Sequence, residues 1–218
     1  SDALMGIGAS GNKMIEHLGD IVGALPEQVD EAIEYQYYTI IRVAGAAPRF
    51  EIYCLLHAMQ KLRQALDVHA TPVGANIWEL LNIKSGIPVI TASTIDAYVH
   101  HMANMHLING VSFRKGCYPG QEIVARMHYL GKLKRRMYRI EFSAREQPGA
   151  GTAVVTETST ESQEIGSIIS AQRTPDGDYE ALAVIQVNDA ENSQLKLGDA
   201  NGPDVTVLDL PYAFDEQD

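Results

Sequence analysis

Apolar residues at Met14, Ile15, Leu18, Ile21 and Val22 mark one face of a helix, and Ser10 just ahead of them predicts its N-cap. Before it, Leu4-Met5-Gly6-Ile7-Gly8 reads as a short buried strand. Pro26 and the acidic stretch Glu27 to Glu34 predict a solvated connection. Tyr38 to Ala44 and Phe50 to Cys54 are strand-like, with Ala46-Ala47-Pro48 as the turn between them. Leu55, Met59, Leu62 and Leu66 then return to helical spacing. Strand, helix, strand, strand, helix is the order of an α+β layer with its helices on one face of a mixed sheet.

A further helix is predicted from Asn76 to about Lys84, stopped by Gly86 and Pro88. Residues 89 to 113 carry no clear period, and a loop of that length inside a compact domain tends to serve function. From Lys132 the pattern changes to short alternating runs: Met137–Phe142, Ala153–Thr156, Ile165–Ser170, Tyr179–Val187 and Val205–Leu208. Turn signals at Pro148-Gly149, Pro175 to Asp178 and Gly198-Asp199 separate them, which predicts a small β-barrel or sandwich. The fold class expected is therefore α+β, a ferredoxin-like α/β layer over 1–131 followed by a C-terminal β-barrel over 132–218.

Composition narrows the function classes. The chain has 218 residues, 45% of them hydrophobic and 21% charged, enough for a real core in one or two domains. A net charge of −11 opposes wholesale coating of nucleic acid or of an anionic membrane. Two cysteines in unlike contexts suggest no disulfide framework and fit a reducing cytoplasm. No apolar run is long enough to span a bilayer as a helix, and no signal-peptide layout is present.

The densest chemistry lies in Lys115-Gly116-Cys117-Tyr118-Pro119-Gly120-Gln121-Glu122, followed by Arg126. Pro119 suits a first helical turn, and Ile123, Val124 and Met127 continue at helical spacing. Cys117 then sits just ahead of a helix N-terminus with Arg114 and Lys115 beside it, a setting that favours thiolate. Its plainer reading is a small buried cysteine in a tight turn. Glu122 near the helix start is favoured by the helix dipole, and Arg126 at i+4 either pairs with it or holds a ligand carboxylate.

This octapeptide resembles the signature of the YgfZ-type folate-binding proteins, relatives of the glycine-cleavage aminomethyltransferase implicated in iron–sulfur cluster maintenance and tRNA modification. The resemblance extends through Asn104, Gly110-Val111-Ser112-Phe113, Trp78 to Ile83 and Gly86-Ile87-Pro88, and on to Leu210-Pro211-Tyr212. It implies a folate-binding accessory protein of iron–sulfur cluster assembly or repair and tRNA modification, with Cys117 as the functional thiol. Tetrahydrofolate or a derivative is the implied cofactor. Trp78, Lys115, Gly116, Tyr118, Gly120, Gln121, Glu122 and Arg126 are the implied binding residues. Iron–sulfur assembly proteins or iron–sulfur tRNA-modifying enzymes are the implied partners, with direct RNA contact ranked last.

The alternative is a tetrahydrofolate-dependent aminomethyltransferase, and whether the chain is an enzyme stays open. Those enzymes typically lack the cysteine and carry arginine where this chain has Gln121. Members of the resembled family also carry a further N-terminal segment, whereas this sequence opens Ser1-Asp2-Ala3. Lys84 stands where the family usually has an acid, and lysine offers donors only. The basic run Lys132, Lys134, Arg135, Arg136 and Arg139 reads first as a solvated strand edge, then as a site for a folate polyglutamate tail. His100, His101 and His106 match no zinc spacing and have no second cysteine nearby, so no bound metal is expected. Cys54 ends an apolar strand and reads as core.

Overall fold

Strand β4 (Arg49–Cys54) shows how local pattern sets the first layer. Phe50, Ile52 and Cys54 are buried, while Arg49, Glu51 and Tyr53 alternate onto the opposite face, as a period of two requires. β4 pairs with β1 (Met5–Ser10) on one side and with β3 (Tyr38–Val43) on the other; β2 (Ala32–Glu34) completes the sheet. Every pairing is antiparallel, so the sheet is not the mixed one expected. The computed structural model describes residues 4–113, 115, 116, 118, 120–130, 133–156 and 163–214. The chain separates into two units, Ser1–Trp78 and Glu79–Asp218.

In the first unit, α1 (Met14–Val22) and α2 (Leu56–Leu66) lay Met14, Leu18, Val22, Leu62 and Leu66 on Ala9, Ile40, Phe50 and Ile52. Leu18, Ile40, Phe50 and Ile52 are fully buried, each contributing about 1.5–3 kcal/mol of transfer free energy. Ser10 does not cap α1. It is the last rung of the β1–β4 ladder, opposite Arg49, and α1 starts after Lys13 without a side-chain cap. The acidic connection is also more ordered than the pattern predicts. Ala32–Glu34 pairs with Thr39–Ile41, and the Glu31 carboxylate accepts from the backbone N–H of Glu27 and Gln28. Those bonds, that from Gln28 first, hold the Glu31 carboxyl below its ordinary value.

The second unit is built on a closed six-stranded barrel of order β10-β5-β8-β7-β6-β9. Its strands are β5 (Arg135–Phe142), β6 (Ala153–Thr156), β7 (Gln163–Arg173), β8 (Tyr179–Gln186), β9 (Leu195–Leu197) and β10 (Asp204–Leu208). Tyr138, Ile140, Phe142, Ile168, Ala181, Ala183 and Ile185 fill its interior. Leu182, Val184, Met137 and Ile169 face outward instead, onto Ile83 of helix α3 (Ala75–Lys84) and onto Tyr98 and Met102. Ordinary alternation sends Ile168 inward and Ile169 outward, and a register shift between Ile168 and Ser170 returns Ala171, three residues after Ile168, to the interior. At Gly166 a Cβ would overlap the Val184 carbonyl and lie 2.8 Å from Ile185 Cα, so the β7–β8 approach needs glycine.

The α/β layer followed by a barrel is thus what the chain forms. Short β9 and the six-residue α5 (Val187–Asn192) were not legible in the pattern. The loop expected over 89–113 holds turns only, and α4 (Gln121–Leu130) follows the signature. The basic run is not a solvated edge: β5 lies between β10 and β8. Arg136 is buried with its guanidinium 3.9 Å from the Phe214 ring centroid, and Arg139 pairs with Glu180 at 2.9 Å. Lys134 and Arg135 are exposed, and Lys132 lies outside the described residues.

Candidate functional site

The sheet face of the first unit opposite α1 and α2 collects the side chains that alternate away from the β-strand core. Gly8 stands opposite Glu51 in the ladder, Ser10 opposite Arg49 and Gly6 opposite Tyr53. Trp78 is half-buried and packs over Gly8, where a Cβ would come within 2.6 Å of the indole Cδ2. Glycine at that position is what lets the flat ring lie on the strand.

The Arg49 guanidinium lies 4.2 Å from the Trp78 ring centroid. Arg49 is 1% exposed and donates from Nη1 to the Ala44 carbonyl at 3.0 Å. Burial lowers its pKa to about 10, and the charge of Glu51 opposes that shift. Glu51 itself is half-buried and accepts from the Tyr53 hydroxyl at 2.8 Å, which leaves carboxylate acceptor capacity on the same face. Hydrogen bonding to Glu51 and burial raise the Tyr53 pKa. An aromatic ring backed by a fixed cation, beside a half-buried carboxylate, suits a planar ligand with several N–H donors. Arg49, Glu51 and Tyr53 are the residues that reading for elements passes over. Their signal is a charged and polar set alternating with Phe50, Ile52 and Cys54.

The signature lies in the second unit. Lys115 places its ammonium 4.7 Å from the Tyr118 ring centroid. Gln121 accepts from the Tyr118 backbone N–H at 3.2 Å, pinning the turn before α4. Gly120 has φ +85, a left-handed conformation that glycine takes without strain. Lys115, Gly116, Glu122 and Arg126 are exposed, and among the described residues neither Glu122 nor Arg126 has an ion-pair partner. Cys117, with Arg114 and Pro119, lies outside the described residues.

Neighbouring residues have structural work. Asn104 is fully buried with φ +55 and donates from Nδ2 to the Met137 carbonyl at 2.8 Å. Tyr212 donates to the Gly86 carbonyl at 2.8 Å. Lys84 reaches the Glu180 carboxylate at 3.2 Å, and Arg139 binds that carboxylate's other oxygen. Lys84 is thus an ion-pair partner of the barrel. His100, His101 and His106 gather with ring centroids 4.3 and 4.7 Å apart. Burial, then the charge of His106, lowers the His100 pKa. Among the described residues no group of three or more His, Cys, Asp or Glu side chains is placed to hold a metal ion. No described helix is long and apolar enough to cross a membrane.

The chain is 29% identical over 215 residues to the tRNA-modifying protein YgfZ of Sodalis glossinidius, covering 99% of this chain and 65% of that protein. It is 32% identical over 192 residues to the protein of the same name from Colwellia psychrerythraea, covering 87% and 58%. For the Pectobacterium atrosepticum protein the identity is 30%, with 94% and 62% covered. The chain therefore spans somewhat less than two thirds of the length of these relatives. No family model matches it. The crystal structure of the glycine cleavage system aminomethyltransferase T from Bartonella henselae superposes with a TM-score of 0.63 at 18% identity, over 98% of this chain and 60% of that one. At that identity the likeness is one of fold.

Proposed function

We infer that this chain, homologous to the YgfZ tRNA-modifying proteins over nearly its whole length, is a folate-binding accessory protein of iron–sulfur cluster assembly or repair and of tRNA modification. The observation that carries the folate reading is Trp78, laid on Gly8 and backed by Arg49 beside the Glu51 carboxylate. Those residues fit the pterin end of tetrahydrofolate. The ring of Trp78 stacks on it, and Glu51 accepts from the aminopyrimidine N–H groups, the acceptor role that Lys84 cannot fill. Tetrahydrofolate, when bound, supplies a carrier for one-carbon units.

In this reading Arg49 holds the Trp78 ring in place. Lys115, Gly116, Tyr118, Gly120, Gln121, Glu122 and Arg126 form the signature turn and helix start that present Cys117 as the functional thiol. The partners are iron–sulfur assembly proteins or iron–sulfur tRNA-modifying enzymes, in the cytoplasm. The 1–131 and 132–218 division is the domain assignment we attach to it. Cys117 together with Gln121 favours this accessory role over an aminomethyltransferase. Calorimetric titration with tetrahydrofolate tests the site. Glu51→Gln keeps the shape but removes a charged acceptor, and is expected to weaken binding about ten-fold. Unchanged affinity would remove Glu51 from the site, and with it the pterin assignment.

A further inference from the structure

On the helix-covered side of the first unit's sheet, away from Trp78, a cavity of about 310 Å³ opens between the end of α1, the first two turns of α2 and the start of β3. Its floor is apolar and buried, formed by Val22, Ala58 and Leu62. Tyr37 and Tyr38 wall it on the strand side, and Tyr37 stays 51% exposed although its ring meets His57 edge-on at 5.8 Å. His57 and Lys61, four residues apart on α2 and so on one helix face, form the rim. Among the described residues no carboxylate lines the cavity, in a chain whose net charge is −11.

An apolar floor with aromatic walls and a few convergent polar groups is the anatomy of a small-molecule site. Its volume is near the lower end for such pockets, which limits the occupant to one or two rings. Among the described residues the only formal charge at its rim is cationic, so the complementary ligand carries an anion at one end. We propose that this cavity is a second binding site, for a small aromatic monocarboxylate whose ring lies on Val22 and Leu62 between the tyrosines. Its carboxylate meets Lys61, with His57 as hydrogen-bond donor. This site is independent of the folate reading, because it shares no residue with the Trp78 face.

The probe is 1-naphthoate, titrated into the 218-residue chain while the methyl resonances of Val22 and Leu62 are followed by NMR. The neutral isostere 1-naphthalenemethanol serves as its control. Saturable shifts at both residues are expected, with the alcohol binding about two- to five-fold more weakly, the scale of one exposed charge pair. Lys61→Met should bring the naphthoate down to the level of the alcohol, and Tyr37→Ser should weaken both. Both side chains are exposed, so neither change threatens the core. Absence of saturable shifts at Val22 and Leu62, or equal affinity for acid and alcohol in the unaltered chain, would overturn the proposal.

Discussion

Arg49 shows how a single side chain can be expensive and still be kept. Burying its guanidinium costs enough to lower its pKa to about 10, and Glu51 only partly offsets that. Stacking on Trp78 returns about 0.5–2 kcal/mol, and the hydrogen bond to Ala44 adds roughly 1 kcal/mol. What the arrangement secures is a fixed orientation for the one tryptophan of the chain. Cys54 is the opposite case. It is 2% exposed and burial pushes its thiol pKa up, so it is a poor nucleophile. Alkylation under native conditions, read by peptide mass spectrometry, should therefore label Cys117 before Cys54; labelling in the reverse order would remove the activated-thiol assignment. The buried Cys54 was legible in the sequence, since it closes an apolar run. Arg49 and Glu51 were not, because alternation tells which face a residue takes but not whether a helix covers that face.

At the scale of elements, the long periodic segments declared themselves. Helices α1 and α2 and the strands β3, β4, β5 and β8 fall within a few residues of where hydrophobic spacing puts them. The misses are short elements whose partners are distant in sequence. β2 looks like an acidic linker because only Ile33 among its three residues is strongly apolar, and the ladder with β3 decides it. Ser10 has the chemistry of a cap, yet the β1–β4 ladder claims it first. Lys84 is the most instructive, because a departure from a familiar pattern proves to be an ion pair joining α3 to β8. Its energetic weight should be small. The Lys84 side chain is 42% exposed against 23% for Arg139, while Glu180 is 6% exposed. Urea denaturation is expected to show Lys84→Ala costing under about 1 kcal/mol. Arg139→Ala strips the better-buried partner and should cost about 3 kcal/mol. Equal losses would mean that the two cations share the Glu180 charge evenly.

For the molecule as a whole, the barrel takes up part of its charge by stacking and pairing. Closure removes free sheet edges, so the basic run guards none: Arg136 is buried under Phe214 and Arg139 pairs with Glu180, while Lys134 and Arg135 stay exposed. Five short alternating runs with turn signals between them predicted a barrel, but not which strands would meet to close it, since that depends on pairing between β10 and β5, far apart in the chain. The first unit, by contrast, leaves one sheet face uncovered by α1 and α2, and the proposed function depends on that face receiving a folate at Trp78. Because Trp78 is the only tryptophan, its fluorescence reports the site without ambiguity. Titrating tetrahydrofolate against the chain, with inner-filter correction, should give saturable quenching at the midpoint found by calorimetry. Emission that stays flat across that range would place the folate elsewhere and contradict the assignment of Trp78 to its site.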